Sequence, residues 1–487
     1  MERRDFLKLT VVGTGAMLTG TTASRGQPAA ASAPPKKLPR QICIPISIAP
    51  LVKGDLDAMF EDMRTRAGVT ALMPFAYTHE PHRSGPPVAN FHGGNYGVPH
   101  MQYYKDIPLT LDDMTGPEFG KVDVLSKVVA AGRKLGVATF PFLLEDNARP
   151  ATVPHWEQLY EVDAHGRRTD KHPGGPCYNN PMYQRFALGL FEDYARSYDI
   201  GGIMWGSERQ SGVLNALALS QSNGQDPGRC TCFCEFCQKK GRDRGIDPER
   251  ARLGFGEIEK IVKTGRASQR PRDGYFATFW RMLLQYPELL AWEKLWVDSR
   301  HEFQAMLYKH VKGINPSLQI GWLVWHNLSF SPFQRAEENY EDMVPYSDFL
   351  RPAVYNNVAG DRFVAFVRGA HSSVYGDLSN DAVLEMLYRE QGYGTEAPFD
   401  KLAETDLSAD YVERETRRAV EGVSAGATQI WPGVNIEGNA TAQSSADAVA
   451  AAFKGGAQGI VLSRSYADIK SANLSAAGDA MRALKVI

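Results

Sequence analysis

The sequence predicts an α/β protein built as a single (β/α)8 TIM barrel, with long insertions after the second and fourth strands. Three observations carry this expectation. Eight short apolar runs recur along the chain, segments with helical spacing separate them, and most runs are continuously apolar, as strands buried on both faces of a parallel sheet are. Regular alternation of strand and helix over this length fits a barrel better than an open doubly wound sheet. No glycine-rich dinucleotide fingerprint follows the first run, and no Walker-type phosphate loop is present.

Taken in order, the first segment reads as an address. Residues Glu2 to Lys8 are E-R-R-D-F-L-K, a modest apolar run extends from Leu9 to Leu18, and small residues and prolines fill Thr19 to Pro35. Residues 1–35 are therefore expected to be a twin-arginine signal peptide and linker, and 36–487 the barrel domain. That route exports folded proteins, so the expected location is periplasmic or secreted, with no membrane anchoring after signal cleavage.

The eight runs are Ile42 to Ile48, Ala71 to Tyr77, Val137 to Leu144, Gly202 to Trp205, Ile320 to Trp325, Phe349 to Tyr355, Thr428 to Val434 and Gly459 to Leu462. Helical spacing appears over Asp55 to Arg66, Lys121 to Leu135, Pro181 to Tyr198, Glu293 to Val311, Asp381 to Gln391, Ala409 to Ser424, Ser445 to Phe453 and Leu474 to Leu484. In Leu135-Gly136-Val137 the glycine suits a left-handed helix cap. Thr78 to Gly120, after the second run, is rich in His, Gly and aromatics, and 206–318, after the fourth, reads as an inserted loop carrying a cysteine cluster and Trp280, Trp292 and Trp296.

Composition narrows the partners. The chain has 54 Lys plus Arg against 56 Asp plus Glu, and no long block of one sign, so the field that attracts a phosphate backbone is missing and nucleic acid is not an expected partner. A carbohydrate is, and homo-oligomerisation stays open.

Barrel chemistry sits on the loops that follow the strands. The fourth run ends I-M-W-G-S-E-R-Q-S-G, which places Glu208 just beyond an apolar strand, beside Trp205 and Arg209. Glycoside hydrolysis needs two carboxyl groups across one bond, one giving a proton and the other acting as nucleophile or as base toward water. Glu208 is the expected proton donor. Its partner is expected to be Glu437, after the seventh run, with Asp146 after the third and Asp361 after the sixth as competitors and Asp468 after the eighth as a weaker one. A separation of about 5 to 5.5 Å predicts retention, and one of about 6.5 to 9.5 Å predicts inversion.

Around these acids, Tyr77, His79, Trp205, Trp325, His326, Tyr355, Asn356, Trp431, Arg464 and Tyr466 lie at strand ends. Aromatic platforms mixed with His, Asn and Arg donors suit the apolar faces and hydroxyl rings of sugars. His79, His82, His92 and His100 fall in the second loop with no zinc-like spacing.

Residues 230 to 237 read C-T-C-F-C-E-F-C. Cysteines this close are poor disulfide partners, whereas several thiolates converge readily on one tetrahedral zinc. Four ligands are expected from Cys177, Cys230, Cys232, Cys234 and Cys237, the zinc being structural because four sulfurs leave no open position. Cys43, inside the first run, reads as an inert buried thiol.

With Cys232-Phe-Cys234-Glu-Phe-Cys237 after the fourth-strand acid and Cys177 in P-C-Y-N-N-P before it, the chain resembles the family 42 glycoside hydrolases, barrel β-galactosidases. The resemblance implies that Cys177, Cys232, Cys234 and Cys237 bind zinc, with Cys230 spare or substituting, that Glu208 is the acid/base and that Glu437 is the nucleophile. Two departures stand out: Ser207 occupies the place where that clan usually has Asn, and the family's additional C-terminal domains have no counterpart before Ile487. Galactose specificity does not carry over.

The expected function is a glycosidase cleaving an oligo- or polysaccharide by a two-carboxylate mechanism. The alternatives are a polysaccharide lyase, with Tyr or His as base and Arg464 or Arg209 neutralising a uronic carboxylate, and a non-catalytic carbohydrate-binding barrel.

Overall fold

The computed structural model describes residues 39–487 except 79–93, 96–99, 106–122, 146–155, 169–174, 222–225, 395 and 425. The expected export signal, 1–35, lies outside the described residues.

The strands are β1 (Ile42–Ile46), β2 (Ala71–Thr78), β3 (Gly94–Asn95), β4 (Ala138–Thr139), β5 (Phe142–Glu145), β6 (Gly202–Ser207), β7 (Gln319–Val324), β8 (Phe349–Pro352), β9 (Gln429–Ile430), β10 (Gly433–Val434) and β11 (Ile460–Leu462). They form one curled, TIM-barrel-like sheet in the order β10-β11-β1-β2-β5-β6-β7-β8-β9. Pairing along this path is parallel throughout, β4 adds to β2 in parallel, and β3 pairs antiparallel with β2. A parallel bridge between Ala353 and Gly433 also joins the end of β8 to β10.

Proline explains most differences from the expected strands, because it lacks the N–H that a ladder needs. Pro141 separates β4 from β5, Pro432 separates β9 from β10, and β8 stops at Pro352 instead of reaching Tyr355. The first run ends at Ile46, and a short helix, Ile48–Lys53, begins two residues on. The fourth run extends through Gly206 to Ser207.

The expected helices are present with ends shifted by a few residues, the longest being Glu288–Ile314. Gly136 takes the left-handed cap conformation at φ 70° that a Cβ would resist. Between β6 and β7 lie helices at Gly212–Ala216, Glu235–Asp243, Pro248–Arg266 and Tyr275–Gln285 as well as Glu288–Ile314. No helix among the described residues is long and apolar enough to cross a membrane.

Strand alternation sorts the core into two layers. Cys43, Met73, Phe142, Met204, Leu323, Phe349, Trp431 and Val461 form an inner cluster enclosed by the sheet. Ile44, Leu72, Leu143, Ile203, Trp205, Trp322, Leu350 and Ile430 belong to the layer that packs against the helices.

Candidate active site

The period of two decides which way the fourth-strand acid points. Met204 is in the inner cluster and Trp205 in the outer layer. A Cβ on Gly206 would meet Phe142 at 2.9 Å and Leu323 at 3.0 Å, both inner residues. Glu208 continues the inward series and stands, partly exposed, just beyond the end of β6. Trp205, Ser207 and Arg209 belong to the opposite series.

Four cationic or donor groups face Glu208. Burial pushes its carboxyl above the ordinary glutamate range, opposed in decreasing order by Arg362, Arg351, Arg464 and the indole of Trp325. Arg362 donates to Nδ1 of His326 at 2.8 Å. An arginine only donates, so His326 carries its proton on Nε2 and gives it to the Tyr411 hydroxyl 3.0 Å away. Burial first, then Arg362 and Arg464, hold His326 well below the usual imidazole range, so it is a neutral acceptor. Arg351 donates to the Tyr355 hydroxyl and, at 3.3 Å, to the carbonyl of Ser463.

Glu437 is buried and saturated with donors. It accepts from Arg464 Nε at 2.5 Å, Ser463 Oγ at 2.6 Å and the backbone N–H groups of Arg464 and Ser465, each at 3.2 Å. Arg464 links the two acids, since its charge is stabilised first by Glu437 and more weakly by Glu208.

The other expected acids behave differently. Asp361 is exposed in the first turn of the helix Gly360–His371, a favourable place for an anion irrespective of catalysis. Asp468 is exposed in the turn Tyr466–Asp468. Asp146 and His79 lie outside the described residues, as does the side chain of Tyr77.

Of the expected sugar contacts, Trp325, His326, Tyr355 and Arg464 lie around Glu208, the first three buried and Arg464 exposed. Asn356 is buried directly after Tyr355 and leaves its Oδ1 without a protein partner. Three expectations need correction. Trp205 faces the helices, packing on Phe303 and Trp322 at ring distances of 5.9 Å, because it occupies an outward position of β6. Trp431 is fully buried in the barrel interior, stacked 3.8 Å from Phe349, too deep to serve as a platform. Tyr466 turns away to donate to Asp62 at 2.9 Å.

Arg209 also points away from the mouth. Its guanidinium lies 3.0 Å from Glu145 and 3.5 Å from Glu161 and donates to the carbonyl of Pro176 at 2.8 Å. Tyr178 and Tyr183 both donate to Glu145, and Trp296 and Thr231 donate to Glu161. This buried network sits behind β6 and connects it to the cysteine loops, because Tyr178 adjoins Cys177 and Thr231 adjoins Cys232.

The Sγ atoms of Cys177, Cys232, Cys234 and Cys237 all lie within 4.8 Å of one another and all four residues are buried. Cys177 Sγ is 3.5 Å from that of Cys234 and 3.4 Å from that of Cys237. These separations exceed the about 2.05 Å of a disulfide and suit four sulfurs around one tetrahedral ion. Asn179 donates to Cys237 Sγ at 3.2 Å, an outer contact of the kind that orients metal ligands. Cys230 is outside this group, its thiol donating to the carbonyl of Pro227 at 3.0 Å. The four-cysteine cluster could hold a metal ion.

The sequence reading missed Arg351 and Arg362. Both left a signal. Arg351 interrupts the apolar sixth run at an inward position, and Arg362 puts a cation in the first helical turn, where the macrodipole disfavours it.

No protein-family model matches the sequence, nor does any curated protein. Among solved structures, α-L-fucosidase isoenzyme 2 from Paenibacillus thiaminolyticus aligns with TM-score 0.49 and 12% identity over 92% of this chain and 49% of its own. A β-galactosidase from the Antarctic haloarchaeon Halorubrum lacusprofundi aligns with TM-score 0.49 and 12% identity over 92% and 58%, respectively. The catalytic domain of a β-amylase from Paenibacillus polymyxa gives 0.48 and 10% over 92% and 98%. The chain thus spans less than two thirds of the fucosidase and the galactosidase.

Proposed function

We propose that this protein is a glycoside hydrolase on a closed (β/α)8 barrel, with Glu208 as proton donor and Glu437 as the second carboxylate. The bridge between Ala353 and Gly433 supports closure of the sheet. The observation that carries the catalytic reading is the contrast between the two acids. Glu208 stands at the mouth with its carboxyl held above the ordinary glutamate range by burial, while Glu437 is buried and accepts from four donors. In this reading Glu208 protonates the glycosidic oxygen, Glu437 acts at the anomeric carbon or on a water, and Tyr355 and Trp325 supply apolar contact to the sugar.

The cysteine cluster is read as a structural zinc site, held by Cys177, Cys232, Cys234 and Cys237, as the resemblance to family 42 implies. Zinc there would fix the loops behind Glu208, and its four sulfur ligands would leave no position for water. Export by the twin-arginine route to the periplasm or beyond belongs to the same proposal.

The test is a screen of aryl glycosides and polysaccharides read by product chromatography, with wild type beside Glu208→Gln. Cleavage by wild type and its loss in the variant, with folding retained, is the expected result. Full turnover by Glu208→Gln would overturn the assignment, and products bearing a new ultraviolet-absorbing double bond would favour the lyase.

A further inference from the structure

Among the described residues, two arginines at the mouth form no salt bridge. Arg351 is 2% exposed, it donates to the Tyr355 hydroxyl and the Ser463 carbonyl, and its Nε has no partner. Arg362 spends one donor on the neutral His326. Both guanidinium groups lie against the same ring, 5.5 Å and 6.0 Å from the centroid of Tyr355.

Among the described residues no carboxylate comes within 4.0 Å of either guanidinium. Arg464 is neutralised by Glu437. Asp406 accepts from the backbone N–H of Gly360, and Asp361 is exposed. Among the described residues Glu208 is the acid that faces both cations, and it does so from beyond 4.0 Å. A buried cation without an anionic partner, as Arg351 is, is costly, and the half-buried Arg362 bears the cost of the helix macrodipole. A bound anion would offset both.

We propose that the sugar bound beside Glu208 carries an anionic substituent, a carboxylate or a sulfate ester, received by Arg351 and Arg362. This rests on the hydrolase reading only for the position of the sugar. Planar guanidinium forks match either oxyanion.

The experiment is calorimetric titration of the full-length Glu208→Gln protein with oligogalacturonate, oligoglucuronate, a sulfated galactan oligosaccharide and the corresponding neutral oligosaccharides. At least one anionic ligand is expected to bind about tenfold or more tightly than its neutral counterpart, the scale of one charge-assisted hydrogen bond. Tighter uronate binding identifies a carboxylate as the substituent, and tighter galactan binding a sulfate. Adding Arg362→Gln should remove the preference, read as the ratio of charged-sugar to neutral-sugar affinity within each protein. The preference itself is read without altering either arginine, so a variant that fails to fold does not remove the test. Equal affinity for charged and neutral sugars, or a preference that survives Arg362→Gln, overturns the proposal. Hydrolysis of neutral glycosides alone, through Glu208, would remove this inference and keep the hydrolase. Tight anionic binding without bond cleavage by wild type would keep the inference and remove the hydrolase.

Discussion

Glu208 and Arg209 are neighbours in sequence, yet they leave β6 on opposite sides of the sheet. Glu208 enters the mouth among Arg362, Arg351 and Arg464, whereas Arg209 enters a buried network 3.0 Å from Glu145 and 3.5 Å from Glu161. A Cβ on Gly175 would come within 2.8 Å of Arg209, so a residue without a side chain there gives the guanidinium its path. The arginine anchors from behind the strand end that carries the acid.

Arg209→Met should therefore act on stability before chemistry. It leaves two buried carboxylates without their shared cation, for which a loss of about 3–5 kcal/mol is expected. Urea unfolding of wild type and variant measures it, and an unchanged midpoint would contradict the bracing role.

The raised position of Glu208 predicts a pH signature. Activity that needs its proton should persist above the ordinary carboxyl range and fall as pH climbs through the elevated folded-state value. Stability follows the same sign: the folded state holds this proton more tightly than the unfolded one, so the contribution is complete below the unfolded value of about 4.3 and is lost as pH rises through the folded one. Glu208→Gln should remove that loss, which paired thermal melts from pH 4 to pH 8 would read; parallel curves for the two proteins would argue against the assignment.

For the cysteine cluster the expected content is about one zinc per chain in protein purified without chelator, measured by elemental analysis. Cys234→Ser should lower both metal content and melting temperature, while Cys230→Ser, outside the cluster, should leave metal content unchanged. A metal-free protein with full stability would reject a metal site.

Trp431 and Trp325 separate core from site. Trp431→Ala empties the interior against Phe349 and should cost about 3–5 kcal/mol. Trp325→Phe removes the indole N–H that works against the raised Glu208 carboxyl, at small cost in volume, so its effect should appear in the pH dependence of turnover and hardly at all in urea melts. The reverse pattern would exchange their roles.

The sequence by itself determined the succession of strand and helix, the acid just beyond β6, and the five cysteines from which four cluster, because continuous apolar runs, proline breaks and the close spacing of Cys230 to Cys237 are local properties; that Cys177 joins them and Cys230 does not was decided by the tertiary structure. Tertiary structure decided the rest. Which aromatics reach the mouth depends on strand phase, which sent Trp205 outward and Trp431 inward below the site. That Arg351 and Arg362, remote from Glu208 in sequence, share its surroundings while Arg209 beside it does not follows from the way parallel strands bring their ends together, a long-range relation that no local pattern encodes.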